Sequence, residues 1–146
     1  MSPGIILVID DDECILNLTK AILVNAGYEV RTSTNSIEAN RYIFCPTPPS
    51  LIIIDYMMPL ASGDNKINLL KSTESTKQIP VILMSGKSES ELLSITLRSG
   101  ADAYILKPFT QQRLVDVVNS TLRNATVQTK QLSTIVPSIG NDSGQI

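Results

Sequence analysis

Residues 5–13 read IILVIDDDE. Five aliphatic residues in a row suit a β-strand covered on both faces, because a half-exposed strand would alternate apolar and polar positions. Asp10, Asp11, Asp12 and Glu13 follow at once. Adjacent carboxylates repel one another, and the end of a buried strand is a costly place to desolvate them. Some of these acids can serve the next helix, as a cap or as first-turn charge, and Asp12 and Glu13 suit that role. Asp10 and Asp11 lie too close to the strand for capping to be their main purpose. They call for a cation.

Similar short runs recur at 28–32, 51–54, 81–84 and 103–106. Between them lie segments with helical spacing. Ile15, Leu18, Ile22 and Leu23 share a face of a first helix, and Leu114, Val117, Val118 and Leu122 share a face of a last one. The segments 36–45, 63–73 and 89–99 complete the set. Gly27 and Gly100 are positioned as helix stops, Pro46, Pro48 and Pro49 mark a loop, and Pro80 opens a strand. Strand and helix thus alternate five times, which implies a parallel sheet with helices on both faces. In such a sheet ligands bind beyond the carboxyl ends of the strands.

Four strands end in polar or charged groups: Asp10 and Asp11 after the first, Asp55 after the third, Ser85 with Gly86 and Lys87 after the fourth, and Lys107 with Pro108 after the fifth. Three carboxylates suit a hard divalent cation with oxygen ligands, foremost Mg²⁺. Lys107 adds a positive charge and Ser85 a hydroxyl donor, a set fitted to phosphoryl oxygens. A carboxylate can itself be the nucleophile, giving an aspartyl phosphate. Asp55, at the end of the central strand, is the best placed.

The bulk properties narrow the options. The 146 residues suffice for one domain with a sizeable core. A net charge of −2 leaves no basic footprint for nucleic acid. The chain has no histidine, which excludes Ser-His and Cys-His nucleophilic catalysis and His-ligated metals, so any histidine chemistry must come from another molecule. Cys14 and Cys45 form no C-x-x-C pair, which fits a reducing cytoplasm. No apolar stretch approaches the roughly 20 residues of a membrane span.

The segments VIDDDE, LIIIDYMMP, PVILMSGKS and ADAYILKPF, in this order and at strand ends, closely resemble the receiver domain of two-component response regulators, of the chemotaxis-regulator kind. The resemblance runs from about residue 5 to 123 and implies a flavodoxin-like fold with strand order 2-1-3-4-5. It implies that Asp55 is the phosphoacceptor, that Asp11 ligates Mg²⁺ directly and Asp10 mainly through water, and that the Met57 backbone carbonyl is a further ligand. Ser85 and Lys107 would hold the phosphoryl group, a cis bond at Pro108 would aim the lysine inward, and Tyr104 would be the aromatic switch residue. Met57 and Lys87 would flank the path of hydrolytic water, and neither activates a nucleophile, so slow self-dephosphorylation is expected. The partners implied are a sensor histidine kinase or a histidine phosphotransfer protein upstream. Downstream is a target protein or a second receiver, met through the 88–123 face, with no direct nucleic acid or membrane binding by this chain. The domain is expected over 1–124, and 125–146 reads as a polar, flexible tail without clear periodicity.

Plainer readings exist for single residues. Ser85-Gly86 can be a simple turn, Lys107-Pro108 a surface loop, and Tyr104 core. Leu92, Leu93, Ile95 and Leu97 spread around the helix at 89–99, more than one core face uses, and the surplus can be a partner surface. Three rivals exist for the whole. Haloacid-dehalogenase-type phosphatases share the Asp10-x-Asp12, Ser85 and Lys107 outline, but need a late acidic metal pair that nothing after Lys107 offers. A nucleotide site would need a G-x-G-x-x-G or a P-loop, and neither occurs. A receiver serving only as an unphosphorylated docking module would not need the full acid, serine and lysine set.

Overall fold

The computed structural model describes residues 4–58 and 62–127. Five parallel strands, β1 (Ile5–Ile9), β2 (Glu29–Ser33), β3 (Leu51–Asp55), β4 (Val81–Ser85) and β5 (Ala103–Leu106), form one sheet in the order β2-β1-β3-β4-β5. The helices are α1 (Glu13–Asn25), α2 (Asn40–Ile43), α3 (Gly63–Ser72), α4 (Glu89–Ser99) and α5, which covers residues 111–127. This is the flavodoxin-like α/β architecture that the alternation and the resemblance imply.

Strand parity divides the core. Ile6, Val8, Leu51, Ile53, Ile82, Met84 and Ile105 face α1 and α5, where they meet Leu16, Ile22, Leu23, Leu114, Val117 and Val118. Leu7, Ile9, Ile52, Ile54, Val81 and Leu83 face the other way, onto Ala39, Ile43, Ile67, Leu70, Leu92 and Ile95 of the α2–α4 side. Both faces of β1, β3 and β4 are therefore closed to water, which is why their sequences are continuous in apolar character.

The elements depart from expectation in a few places. Leu18 is half exposed, and Thr19 takes its place in the buried stripe of α1. β2 lies one residue further on than 28–32. Only Asn40–Ile43 of the segment 36–45 is α-helical. Asn35 Oδ1 accepts from the Ile37 and Glu38 N–H groups at 3.1 and 2.8 Å, folding the start of that segment into a turn. The Arg31 guanidinium donates to the carbonyls of Tyr42 and Thr47, drawing its far end into the proline loop. α5 runs past residue 124 through 127, so the first three residues of the expected tail are helical; 128–146 lie outside the described residues. α4 ends as expected at Gly100, whose φ of 86° is the left-handed conformation that glycine adopts without a Cβ clash.

At the amino-terminal edge of the strands, Asp102 ties β4 to its surroundings. Its Oδ2 accepts from the Val81 N–H at 2.8 Å and from Lys71 Nζ at 2.8 Å, while Lys71 Nζ also donates to the Ile79 carbonyl at 2.9 Å.

Candidate functional site

The same parity places the site. Asp10 continues the Ile6–Val8 row, Asp55 the Leu51–Ile53 row and Lys107 the Ala103–Ile105 row, all on the α1/α5 side of the sheet's carboxyl edge. Asp10 is held by its own N–H donating to the Ser33 carbonyl at 3.1 Å, an extension of the β1–β2 ladder. Its Oδ1 accepts from the Asp12 N–H at 2.9 Å. Asp12 turns its own side chain to the helix, accepting from the Cys14 and Ile15 N–H groups at 2.9 and 3.4 Å, and is the N-cap of α1. Asp55 is the last residue of β3, paired in register with Met84.

Lys107 joins the two buried carboxylates. Its Nζ lies 2.7 Å from Asp10 Oδ2 and 2.8 Å from Asp55 Oδ1. Asp10 is fully buried and Asp55 nearly so, whereas Asp11 is exposed. The Lys107–Pro108 peptide bond is cis, and the Lys107 N–H donates to the Ser85 carbonyl at 2.8 Å. Burial pushes the Asp55 carboxyl above its ordinary range; the Lys107 hydrogen bond opposes this, while repulsion from Asp10 and Asp11 adds to it. Burial alone would lower the Lys107 ammonium, but its hydrogen bonds to Asp10 and Asp55 outweigh it and leave the group raised.

Asp10, Asp11 and Asp55 each offer a carboxylate oxygen, and these oxygens all lie within 4.8 Å of one another. An all-oxygen, anionic set fits a hard divalent cation such as Mg²⁺, and the open side at Asp11 leaves room for water ligands. Ser85, fully buried, has the opposite parity to Asp55 and approaches from β4; its Oγ accepts from the Lys87 N–H at 3.1 Å. Tyr104 lies on the α4 side of β5, paired in register with Leu83, and its hydroxyl donates to Glu89 Oε1 at 2.9 Å. Met57 is exposed. Lys87 Nζ sits 5.6 Å over the Tyr56 ring and 3.7 Å from Glu91 Oε2.

The model of the response regulator receiver domain matches residues 6–119. The chain belongs to the response regulator receiver family. Receiver domains of two-component systems take a phosphoryl group on an aspartate from histidine kinases and are signalling domains, not enzymes of the ordinary kind. The phosphate regulon transcriptional regulatory protein PhoB of Pseudomonas aeruginosa is 36% identical over 118 residues, 81% of this chain and 51% of that protein. The chain spans about half the length of the curated relatives it matches. Among solved structures, a response regulator of Chloroflexus aurantiacus superposes with a TM-score of 0.78 at 28% identity, over 83% of this chain and 98% of that one. The signal receiver domain of a histidine kinase from Syntrophus aciditrophicus gives 0.75 at 33% identity, over 83% and 91%.

Asp10, Asp11, Asp55 and Lys107 thus meet at one place, with Ser85 and Lys87 linked beside them. Four residues went unnoticed in the sequence. Glu89 reaches Tyr104 across 15 positions, and no sequence signal marks it. The Lys87–Glu91 pair joins a residue ahead of the Ser88 cap to the first turn of α4, so helical spacing does not mark it. Tyr56 and Gly63 are recognisable only from the tertiary packing.

Proposed function

We propose that this chain accepts a phosphoryl group on Asp55 from the phosphohistidine of a sensor kinase or a histidine phosphotransfer protein, and that the modification switches a protein-binding surface. The observation that carries the reading is Lys107 Nζ seated between the buried carboxylates of Asp10 and Asp55. A lysine that already pairs with Asp55 is positioned to hold an oxygen of a phosphoryl group attached there. An Asp55 oxygen attacks phosphorus in line, the P–N bond breaks with its electron pair going to the ring nitrogen, and the donor, a phosphoimidazolium protonated on its other ring nitrogen, leaves as neutral imidazole. Lys107 and the Ser85 hydroxyl take up charge on the transferred oxygens, so the chain works by positioning and electrostatics. Mg²⁺ held by Asp11, Asp55, the Met57 carbonyl and, mainly through water, Asp10 would offset the developing negative charge.

The new charge draws Ser85 inward, and Tyr104 leaves Glu89 to fill the space. This repacks the 88–123 face, which a target protein or a second receiver reads. Leu93 and Leu97, exposed on α4, belong to that face. The protein acts in the cytoplasm and catalyses only its own phosphorylation and dephosphorylation. With Met57 apolar and Lys87 cationic beside the phosphoryl group, no side chain there activates water, and the phosphoryl group is long-lived.

The test is acyl-phosphate labelling from a small phosphodonor with Mg²⁺. The parent chain should label and Asp55→Asn should not. Undiminished label on the variant would sink the assignment.

A further inference from the structure

Asp10 is fully buried one residue beyond the end of β1, and its main chain is held by β2, through the N–H that donates to the Ser33 carbonyl at 3.1 Å. β2 is the outermost strand on its side of the sheet, and its first four residues are exposed or half-buried. Ser33, at its carboxyl end, is the residue of that strand that is buried. The Ser33 hydroxyl closes a small ring with the turn that follows: it donates to the Asn35 carbonyl at 2.8 Å and accepts from the Asn35 N–H at 3.4 Å. Asn35 is fixed in its turn, since its Oδ1 accepts from the Ile37 and Glu38 N–H groups. Short polar side chains that bond nearby backbone lock a local conformation. Here the locked carbonyl is the one that Asp10 uses.

We propose that Ser33 is a positioning residue for the cation site, setting its affinity and its preference for Mg²⁺ by holding Asp10 in place. The inference rests on the reading of Asp10, Asp11 and Asp55 as that site. Oxygens of the three carboxylates lie within 4.8 Å of one another, against their mutual repulsion. The Asp10 side chain is oriented by the Asp12 N–H at 2.9 Å and by Lys107 at 2.7 Å. Neither contact anchors its main chain on the β2 side; the Ser33 carbonyl does. Without the Ser33 hydroxyl, the end of β2 loses its hold on the Asn35 turn, and repulsion spreads the acids. Mg²⁺ is small and demands close, near-octahedral oxygen ligands, whereas Ca²⁺ accepts longer and less regular ones. A spread site therefore loses Mg²⁺ more than Ca²⁺.

Calorimetric titration of Mg²⁺ and of Ca²⁺ into the metal-free chain tests this with Ser33→Ala, Ser33→Thr, Asn35→Ala and Ile43→Val. Ser33→Ala should weaken Mg²⁺ binding by roughly two- to tenfold, the range that one net hydrogen bond spans, and Ca²⁺ binding by less. Asn35→Ala, which breaks the turn from its other side, should act in the same direction. Ser33→Thr keeps the hydroxyl and should bind as the parent does. Ile43→Val loosens the core under α2 and should lower the melting temperature while leaving both affinities alone. A Ser33→Ala chain with the parent's Mg²⁺ affinity, an equal loss for the two ions, or an equal loss in Ile43→Val overturns the proposal, because a role in stability alone would not discriminate between the ions. A parent chain that binds no Mg²⁺ overturns the cation-site reading instead, and this inference with it.

Discussion

Asp55 is the residue where the site's chemistry and its cost coincide. Without metal, a buried carboxylate stands near Asp10 and Asp11, and among the described residues Lys107 is the cation that pairs with it. Because its folded pKa lies above the unfolded value, the folded protein binds more protons between the two. Its contribution is favourable at pH below the unfolded pKa and is lost as pH rises through the folded one. In EDTA, Asp55→Asn should therefore melt above the parent at neutral pH, and the gap should close on acidification. Millimolar Mg²⁺ should raise the melting temperature of the parent more than that of the variant, since an ion bound to the native state alone stabilises it by mass action. Melting curves across pH in EDTA and in Mg²⁺ check both; a parent that outlasts Asp55→Asn in EDTA at neutral pH contradicts the first. Asp10, Asp55 and Lys107 were legible because each directly follows an aliphatic run, and row parity within those runs would even have put them on one side of the sheet. The Tyr104–Glu89 hydrogen bond was not, because it depends on how α4 settles on β5.

Among the elements, α3 begins hard against the end of β3. A Cβ on Gly63 would lie 2.4 Å from the Asp55 carbonyl oxygen and 3.0 Å from Tyr56 Cα, both backbone atoms that cannot swing aside. The Gly63 N–H also donates to the Tyr56 carbonyl at 3.0 Å. Gly63→Ala should cost about 1–3 kcal/mol, as overpacking does, and should disturb the strand end that carries Asp55. Gly86→Ala, with nothing within 4 Å of the added carbon, should be close to neutral. Urea midpoints of the two variants give the comparison. Five strands and most helices could be read from the sequence, since long periodic or continuous apolar segments state their burial directly. α2 could not, because the local Asn35 turn competes with helix at the start of the segment, and the Arg31 bonds to the Tyr42 and Thr47 carbonyls, made across 11 and 16 positions, hold its far end. Leu18 misled because the buried stripe of α1 runs through Leu16, Thr19, Ile22 and Leu23, and a count of apolar residues passes over a threonine.

The whole molecule has a charged pole at the carboxyl edge of the sheet and a stapled pole at the other, where Asp102 holds Lys71 and the Val81 N–H. The strand order that makes the first pole a single crevice is not written in any one segment; it came with the likeness to receivers and is what the sheet adopts. β5 lies at the edge of that sheet and is only partly buried. Edge strands of this kind ordinarily open on their own, well below the energy of global unfolding. Here the strand delivers Lys107 to two carboxylates in the interior. Peeling β5 away would abandon two buried anions, so the edge is tied to the centre and should unfold only with it. Native-state amide exchange should give Ile105 in β5 an opening free energy like that of Ile53 in β3. In Lys107→Met the two should separate, β5 opening first. The residue that pairs with Asp10 and Asp55 thereby makes the periphery of the sheet part of one cooperative unit.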